Sequence, residues 1–234
     1  MQLPHGRAEA REIEIQLAGE RLLLTAARAI VWTARRTLIV ADLHIGKAAS
    51  FRALGTPLPH GTTADTLGRL AEAIRRYDIG HAIVLGDFLH SRHSLPPATL
   101  AQLRQWRERH PDIQLTLVSG NHDRHAGRPP PDLRIDTLDR CRLGPYVLAH
   151  HPMPSSEGYV LAGHLHPVMR IANRVDSIRV PCYWIQPEVG VLPAFGAFTG
   201  GWEINPGPED GVYLLADDRV LALPRRQAAA ERVR

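Results

Sequence analysis

Five short polar motifs in this sequence carry side chains able to hold metal ions. They are Asp42-Leu43-His44, Gly86-Asp87, Gly120-Asn121-His122-Asp123, Ala149-His150-His151-Pro152 and Gly163-His164-Leu165-His166-Pro167. Taken singly, most are ordinary: Asp-x-His and Gly-Asp occur in many turns, and a polar loop explains Gly-Asn-His-Asp. Gly-His-x-His is more specific, because two imidazoles two apart on a strand point to one face and can serve neighbouring ions. The informative feature is the set of five in this order, each following an apolar run. Two divalent ions about 3.5–4 Å apart need a bridging carboxylate and a mixture of oxygen and imidazole donors. Asp42, His44, Asp87, Asn121, His150, His164 and His166 supply that mixture. No cysteine is among them, which disfavours a structural zinc site.

The elements that must position these residues are legible as apolar runs. Thr37–Val40, His81–Leu85 and Gln114–Val118 are short buried strands, and each ends at a motif. Between them the spacing predicts helices over Thr63–Tyr77 and Pro97–His110, so the first half reads as parallel βαβ units. Such sheets place ligands at the carboxyl ends of their strands. Upstream, Glu12–Leu17 and Arg21–Thr25 alternate as two strands about a Gly19-Glu20 turn. From Asp132 onward the helical signal fades into strands over Arg140–Leu143, Tyr146–Ala149, Tyr159–Ala162, Val168–Ile171, Ser177–Val180, Val189–Leu192, Val212–Leu215 and Val220–Leu223. A single domain over 1–234 with a β-rich second half is expected, its charged tail from Pro224 frayed.

Composition excludes several classes. At 234 residues, 44% apolar and 22% charged, the chain is globular and not disordered. No apolar run approaches the ~18 residues of a membrane helix. Met1–Arg11 lacks the apolar segment of a signal peptide, and the two cysteines, Cys141 and Cys182, make no disulfide framework, so a cytoplasmic location and no membrane partner are expected. Of 28 basic residues only Lys47 is lysine. That preference is either a compositional bias or a phosphate-facing surface, since guanidinium grips phosphate in a bidentate fork.

The five motifs resemble those of the calcineurin-like metallophosphoesterases. That resemblance implies a four-layer α/β/β/α sandwich and two ions. Asp42, His44, Asp87 and His166 would hold the first. Asp87 would bridge to the second, held also by Asn121, His150 and His164. His122 would be the catalytic histidine that ligates neither. One departure is His151, where an acidic residue is expected; it leaves open whether His150 or His151 coordinates, and the strand end favours His150. The segment Asp42–Phe51, the run Pro59–Thr63, the run Gly86–Arg92 and the run Leu192–Gly201 are similar to the bacterial ligase-associated DNA damage response endonucleases. A DNA substrate, and work alongside a DNA ligase and a helicase, are implied by that similarity.

The expected reaction is in-line attack on a phosphodiester by a hydroxide bridging the ions, with manganese the first choice and iron or zinc close behind. The rival enzyme reading is a phosphoesterase for small nucleotides or phosphomonoesters, marked by a cap insertion; the non-enzymatic rival is a scaffold, marked by lost ligands. Lys47, Arg52, Arg92 and Arg124 adjoin the motifs and either bind substrate phosphate or serve as surface ion-pairing residues. His90 and His93 either support the site or face solvent. Asp123 is placed with His122 as the residue holding its ring, the alternative being a cap for the following turn. Phe51, Phe195, Phe198 and Trp202 are candidates for base stacking or for the core.

Overall fold

The first half of the chain builds a seven-stranded sheet in sequence order. Its strands are β1 (Glu12–Leu17), β2 (Glu20–Thr25), β3 (Ile30–Trp32), β4 (Thr37–Val40), β5 (His81–Leu85), β6 (Gln114–Val118) and β7 (Ile135–Leu138). Up to β4 the pairing is antiparallel; from β4 to β7 it is parallel. Four helices come from the same half: α1 (Lys47–Ala53), α2 (Thr62–Arg76), α3 (Pro97–Arg109) and α4 (Asn121–Ala126). This computed structural model describes residues 10–56, 58, 61–172, 176–197 and 199–224. His60, Phe198 and the tail beyond Pro224 lie outside the described residues.

The second half forms a nine-stranded sheet. It comprises β8 (Cys141–Leu143), β9 (Tyr146–Ala149), β10 (Tyr159–Ala162), β11 (Pro167–Ala172), β12 (Ser177–Ile185), β13 (Val189–Val191), β14 (Trp202–Glu203), β15 (Gly211–Ala216) and β16 (Arg219–Ala222). β9, β10 and β13 run parallel, while β12 pairs antiparallel with β11, β13 and β15.

Period-two alternation divides the side chains of the central strands between two cores. Leu38, Val40, Ala82, Val84, Leu115 and Leu117 point to α2 and α3, against Leu67, Leu70, Ile74, Leu103 and Trp106. Their neighbours Ile39, Ala41, Ile83, Leu85 and Val118 point the other way, against Tyr146, Leu148, Leu161, Tyr183 and Leu192 of the second sheet. Buried on both faces, these strands read as continuous apolar runs, as strands of parallel sheets do. The sandwich is therefore helices, first sheet, second sheet. Outside the second sheet, no helix lies among the described residues; Val147, Val160, Ala162, Val189 and Val191 instead pack with Leu165 and Trp184. The connection from β9 to β10 carries His150 and His151 and forms no helix.

No helix among the described residues is long and apolar enough to cross a membrane.

Candidate dinuclear metal centre

All five motifs meet at one place. The parallel strands β4, β5 and β6 end side by side, delivering Asp42–His44, Asp87 and Asn121–His122; β9 and β10 of the other sheet deliver His150 and His164–His166 to the same end. Close approach of backbone to side chain makes this convergence possible. A Cβ on Gly86 would lie 2.0 Å from His150 Nδ1, and one on Gly163 would lie 2.5 Å from Asp42 Oδ2. Only glycine fits at either position.

The donors interleave. Asp42, His44 and His166 present ligand atoms within 4.8 Å of one another, and so do Asp42, Asp87 and His150. Asp42 belongs to both groups, and Asp87 reaches from the second toward the first: Oδ1 is 3.5 Å from His150 Nε2, and Oδ2 is 3.9 Å from His44 Nε2. Carbonyl groups fix two ring orientations. His150 Nδ1 donates to Leu85 O at 3.1 Å, and His166 Nδ1 donates to Gly200 O at 3.1 Å. The Nε2 lone pairs of both rings then point inward, as second-layer bonds to metal-binding imidazoles arrange. There His166 Nε2 meets His44 Nε2 at 3.3 Å, and His150 Nε2 meets Asn121 Oδ1 at 2.8 Å and His164 Nδ1 at 3.1 Å.

This arrangement fits divalent cations on two observations. Asp42 Oδ1 is buried with no hydrogen-bond partner. A buried carboxylate oxygen in that state costs free energy unless a cation compensates it. Further, Asp42, His44, Asp87, His164 and His166 adopt left-handed φ of 54°, 48°, 51°, 71° and 50°. Each such non-glycine residue costs of order 1–3 kcal/mol, a strain characteristic of ligand clamps.

Electrostatics points the same way. Burial, followed by the charges of His166 and Lys47, pushes His44 down to about 2, and burial pushes His150 down to about 4 and lowers His164. Burial thus favours the neutral form of these imidazoles, the form that binds a metal. Burial raises Asp87, and outweighs the His122 N–H and the neighbouring imidazoles that favour its charge. His166 differs: burial opposes its charge, but the hydrogen bond and charge of Asp42 outweigh it and raise the ring.

The other expected residues border the cluster. His151 is exposed, yet its ligand atom lies within 4.8 Å of those of His150 and His164, and its ring centre is 4.3 Å from that of His164; His150 is interior. His122 donates Nδ1–H to His90 O at 2.6 Å and directs Nε2 toward Asp87 Oδ2 at 4.0 Å. Its ring stacks on His90, which in turn stacks on Phe51, at centroid distances of 4.9 and 5.7 Å. His93 is exposed and accepts from Arg92.

Asp123 corrects an expectation. Its oxygens accept Leu89 N–H and Gly120 N–H, both at 2.9 Å, so it braces two motif-bearing loops and caps the turn of α4 instead of holding the His122 ring. Adjacent helical residues diverge too far to face one another. Asp123→Ala leaves two buried N–H groups without an acceptor, at about 1–3 kcal/mol each. A lowered melting temperature with metal and without it is the expected result.

Lys47, at the start of α1, is half-buried and close enough for its charge to depress His44 and His90. Arg52 donates to Leu58 O, Arg92 is exposed, and Arg124 pairs with exposed Asp139 at 3.8 Å. Phe195 is completely buried in the core beneath α2, which removes it as a base-stacking residue. Trp202 is 64% exposed, and its backbone N–H donates to Leu165 O and His166 O, both at 3.1 Å. No sequence signal marks Arg28 and Arg69, half-buried residues lining a groove of about 320 Å³ whose wall includes His166.

A two-sheet sandwich with paired carboxylates, an amide and four imidazoles at the strand ends defines a metal-dependent phosphoesterase. The chain belongs to the calcineurin-like phosphoesterases, whose family model matches residues 35–180. It is similar to the Pseudomonas putida nuclease MPE, with 46% identity and a TM-score of 0.80 over 91% of this chain and 100% of that one. A second solved structure, the phosphoesterase Yfce from E. coli, is 12% identical with a TM-score of 0.37, over 77% of this chain and 88% of that one. No curated protein matches the sequence.

Proposed function

We propose that this chain is a cytoplasmic, manganese-dependent phosphodiesterase that cuts DNA in repair, with His122 as its general acid. The observation that carries the reading is the 46% identity to a nuclease across that nuclease's whole length. Asp42, His44, Asp87 and His166 would hold one ion, and Asp87, Asn121, His150 and His164 the other. When bound, the two ions supply an acidified water and positive charge for the phosphoryl oxygens. Manganese suits a donor set of carboxylate, amide and imidazole. The protein's own part is orientation: Leu85 O and Gly200 O fix imidazole tautomers, and His90 O turns His122 Nε2 inward. Association with a DNA ligase and a helicase rests on the motif resemblance alone.

A polymeric substrate is favoured by Trp202, a large apolar side chain in solvent whose backbone N–H bonds His166 O. Base–aromatic stacking contributes about 1–3 kcal/mol per base. Trp202→Ala is therefore expected to weaken single-stranded DNA binding by roughly 5- to 150-fold. Fluorescence titration of an oligonucleotide checks this, and unchanged affinity would leave the ring without a role.

The reading is tested by a manganese-supplemented panel of a chromogenic diester, its monoester, cyclic nucleotides and single- and double-stranded DNA. Cleavage of the diester and of DNA supports it. Hydrolysis confined to monoesters or cyclic nucleotides would replace it with a small-nucleotide enzyme.

A further inference from the structure

Two arginines that no motif contains come together at the seam between the sheets. Arg28 sits in the turn joining β2 to β3, and Arg69 lies in the middle of α2. Each donates one hydrogen bond to the segment that crosses above β4: Arg28 Nη1 to Ala194 O at 3.2 Å, and Arg69 Nη2 to Phe195 O. That segment is pinned to the site from below, because Phe195 N–H donates to Ala41 O and Gly196 N–H to Asp42 O. The guanidiniums thus stand one layer from the residue that opens the ligand set. They line the same groove as His166, Thr199 and Gly200.

The protein balances the pair only in part: the Arg69 guanidinium lies over the Phe195 ring at 4.7 Å, and Tyr183 favours the charge of Arg28. Among the described residues neither guanidinium forms an ion pair, and Asp65, on the groove wall, attracts Arg69 only at longer range. Burial disfavours the charge of both, and Arg28 further disfavours that of Arg69. Arginine nonetheless stays charged in proteins. Two half-buried cations in mutual repulsion ask for an anion. Each has used one of its five donors on a loop carbonyl, and the remaining fork matches phosphate geometry. Arg28 also holds φ at 66°, where glycine or asparagine is the ordinary occupant. The turn accepts that strain with a side chain that reaches the groove.

We infer that Arg28 and Arg69 form a phosphate subsite beside the metal centre, taking a backbone phosphate next to the one being cut. This rests on the reading of the site as a diesterase for nucleic acid. It adds two arginines, far from any motif in sequence, to the phosphate candidates Lys47, Arg52, Arg92 and Arg124 at the motifs.

The test separates the subsite from the nuclease reading. Hydrolysis of bis(p-nitrophenyl) phosphate is inhibited with thymidine 5′-monophosphate, thymidine 3′-monophosphate and thymidine 3′,5′-bisphosphate. In the wild type the bisphosphate binds about 10- to 100-fold tighter than the better monophosphate, the scale of charged hydrogen bonds to a second phosphate. Arg28→Gln and Arg69→Gln retain an amide donor for the loop carbonyl but no charge, and reduce that ratio to about threefold or less. Arg28→Lys and Arg69→Lys keep part of it. A wild-type ratio near one overturns the subsite, as do Gln variants that preserve the ratio. Equal weakening of all three inhibitors also overturns it, leaving the arginines as clamps on the 192–196 segment. A wild type that shows the ratio but leaves DNA uncut keeps the subsite and removes the nuclease; one that cuts DNA with a ratio near one does the reverse.

Discussion

Asp87→Ala should bind neither metal ion, whereas His44→Ala should lose mainly one. Asp87 directs one oxygen toward His150 Nε2 at 3.5 Å and the other toward His44 Nε2 at 3.9 Å, so it faces the inward nitrogens on both sides, where Asp42 meets His150 only at Nδ1. Neutral imidazoles on either side can bind a cation, but they cannot offset two divalent charges crowded into one site; a bridging carboxylate does. Phosphoesterase activity falls to background in the variant. The protein also changes in a second way. Without metal, the wild type buries an Asp87 whose charge is disfavoured by burial, beside an Asp42 oxygen without a partner. Removing a buried charge that is only partly compensated relieves part of the desolvation cost in the metal-free state. Asp87→Asn, which keeps the shape and can still accept His122 N–H as Asp87 Oδ1 does at 3.0 Å, is thus expected to melt above the metal-stripped wild type. It should also lack the metal-induced rise in melting temperature that follows from binding the native state alone. Elemental analysis and paired melting curves check both halves. Two ions per chain in Asp87→Ala would refute the assignment of the bridge.

The convergence of the candidate donors was legible because each follows a buried parallel strand, and such strands announce themselves as unbroken apolar runs. Thr37–Val40, His81–Leu85 and Gln114–Val118 are found at the expected residues. Elements stabilised from outside left weaker marks. β3 is only Ile30–Trp32, too short to alternate visibly, and β7 is Ile135–Leu138, where Asp136 and Thr137 interrupt the apolar pattern. α1 and α4 span 7 and 6 residues, below what propensity sustains in isolation, and are held by the loops they follow. β12 runs on to Ile185 through Pro181, which a sequence pattern reads as a strand end. The Arg28–Arg69 pair is the extreme case. Its members come from a turn and a helix, and they meet only because both grip a segment more than a hundred residues later. Spacing along the chain cannot encode a meeting made through a third strand of backbone. The exposed position of His151 was likewise set by which ring the Leu85 carbonyl could hold, a contact between sheets.

His122→Ala should keep its metal, lose most DNA cleavage, and lose distinctly less activity on a p-nitrophenyl diester. The ring is held at Nδ1 by His90 O at 2.6 Å and flattened against the His90 ring, so Nε2 is the only nitrogen free to face the reacting phosphorus. It lies 4.0 Å from Asp87 Oδ2, near the ligand cluster yet on its solvent side, where a departing oxygen would emerge. In the proposed general-acid role, Nε2–H would donate its proton to that oxygen as the P–O bond breaks. General acid catalysis of this kind contributes roughly 10²–10⁴ in rate. The contribution depends on the leaving group: a sugar alkoxide is too basic to depart unprotonated, whereas p-nitrophenolate is stable as the anion. The ratio of the two losses is therefore the diagnostic, more than either loss alone. Equal losses would mean that His122 positions phosphate instead of protonating the leaving oxygen, and loss of metal would make it a ligand. His90→Ala adds a control on geometry. It removes the stacking ring but leaves the carbonyl that holds Nδ1, so it should affect DNA cleavage less than His122→Ala while the ratio between substrates moves in the same direction.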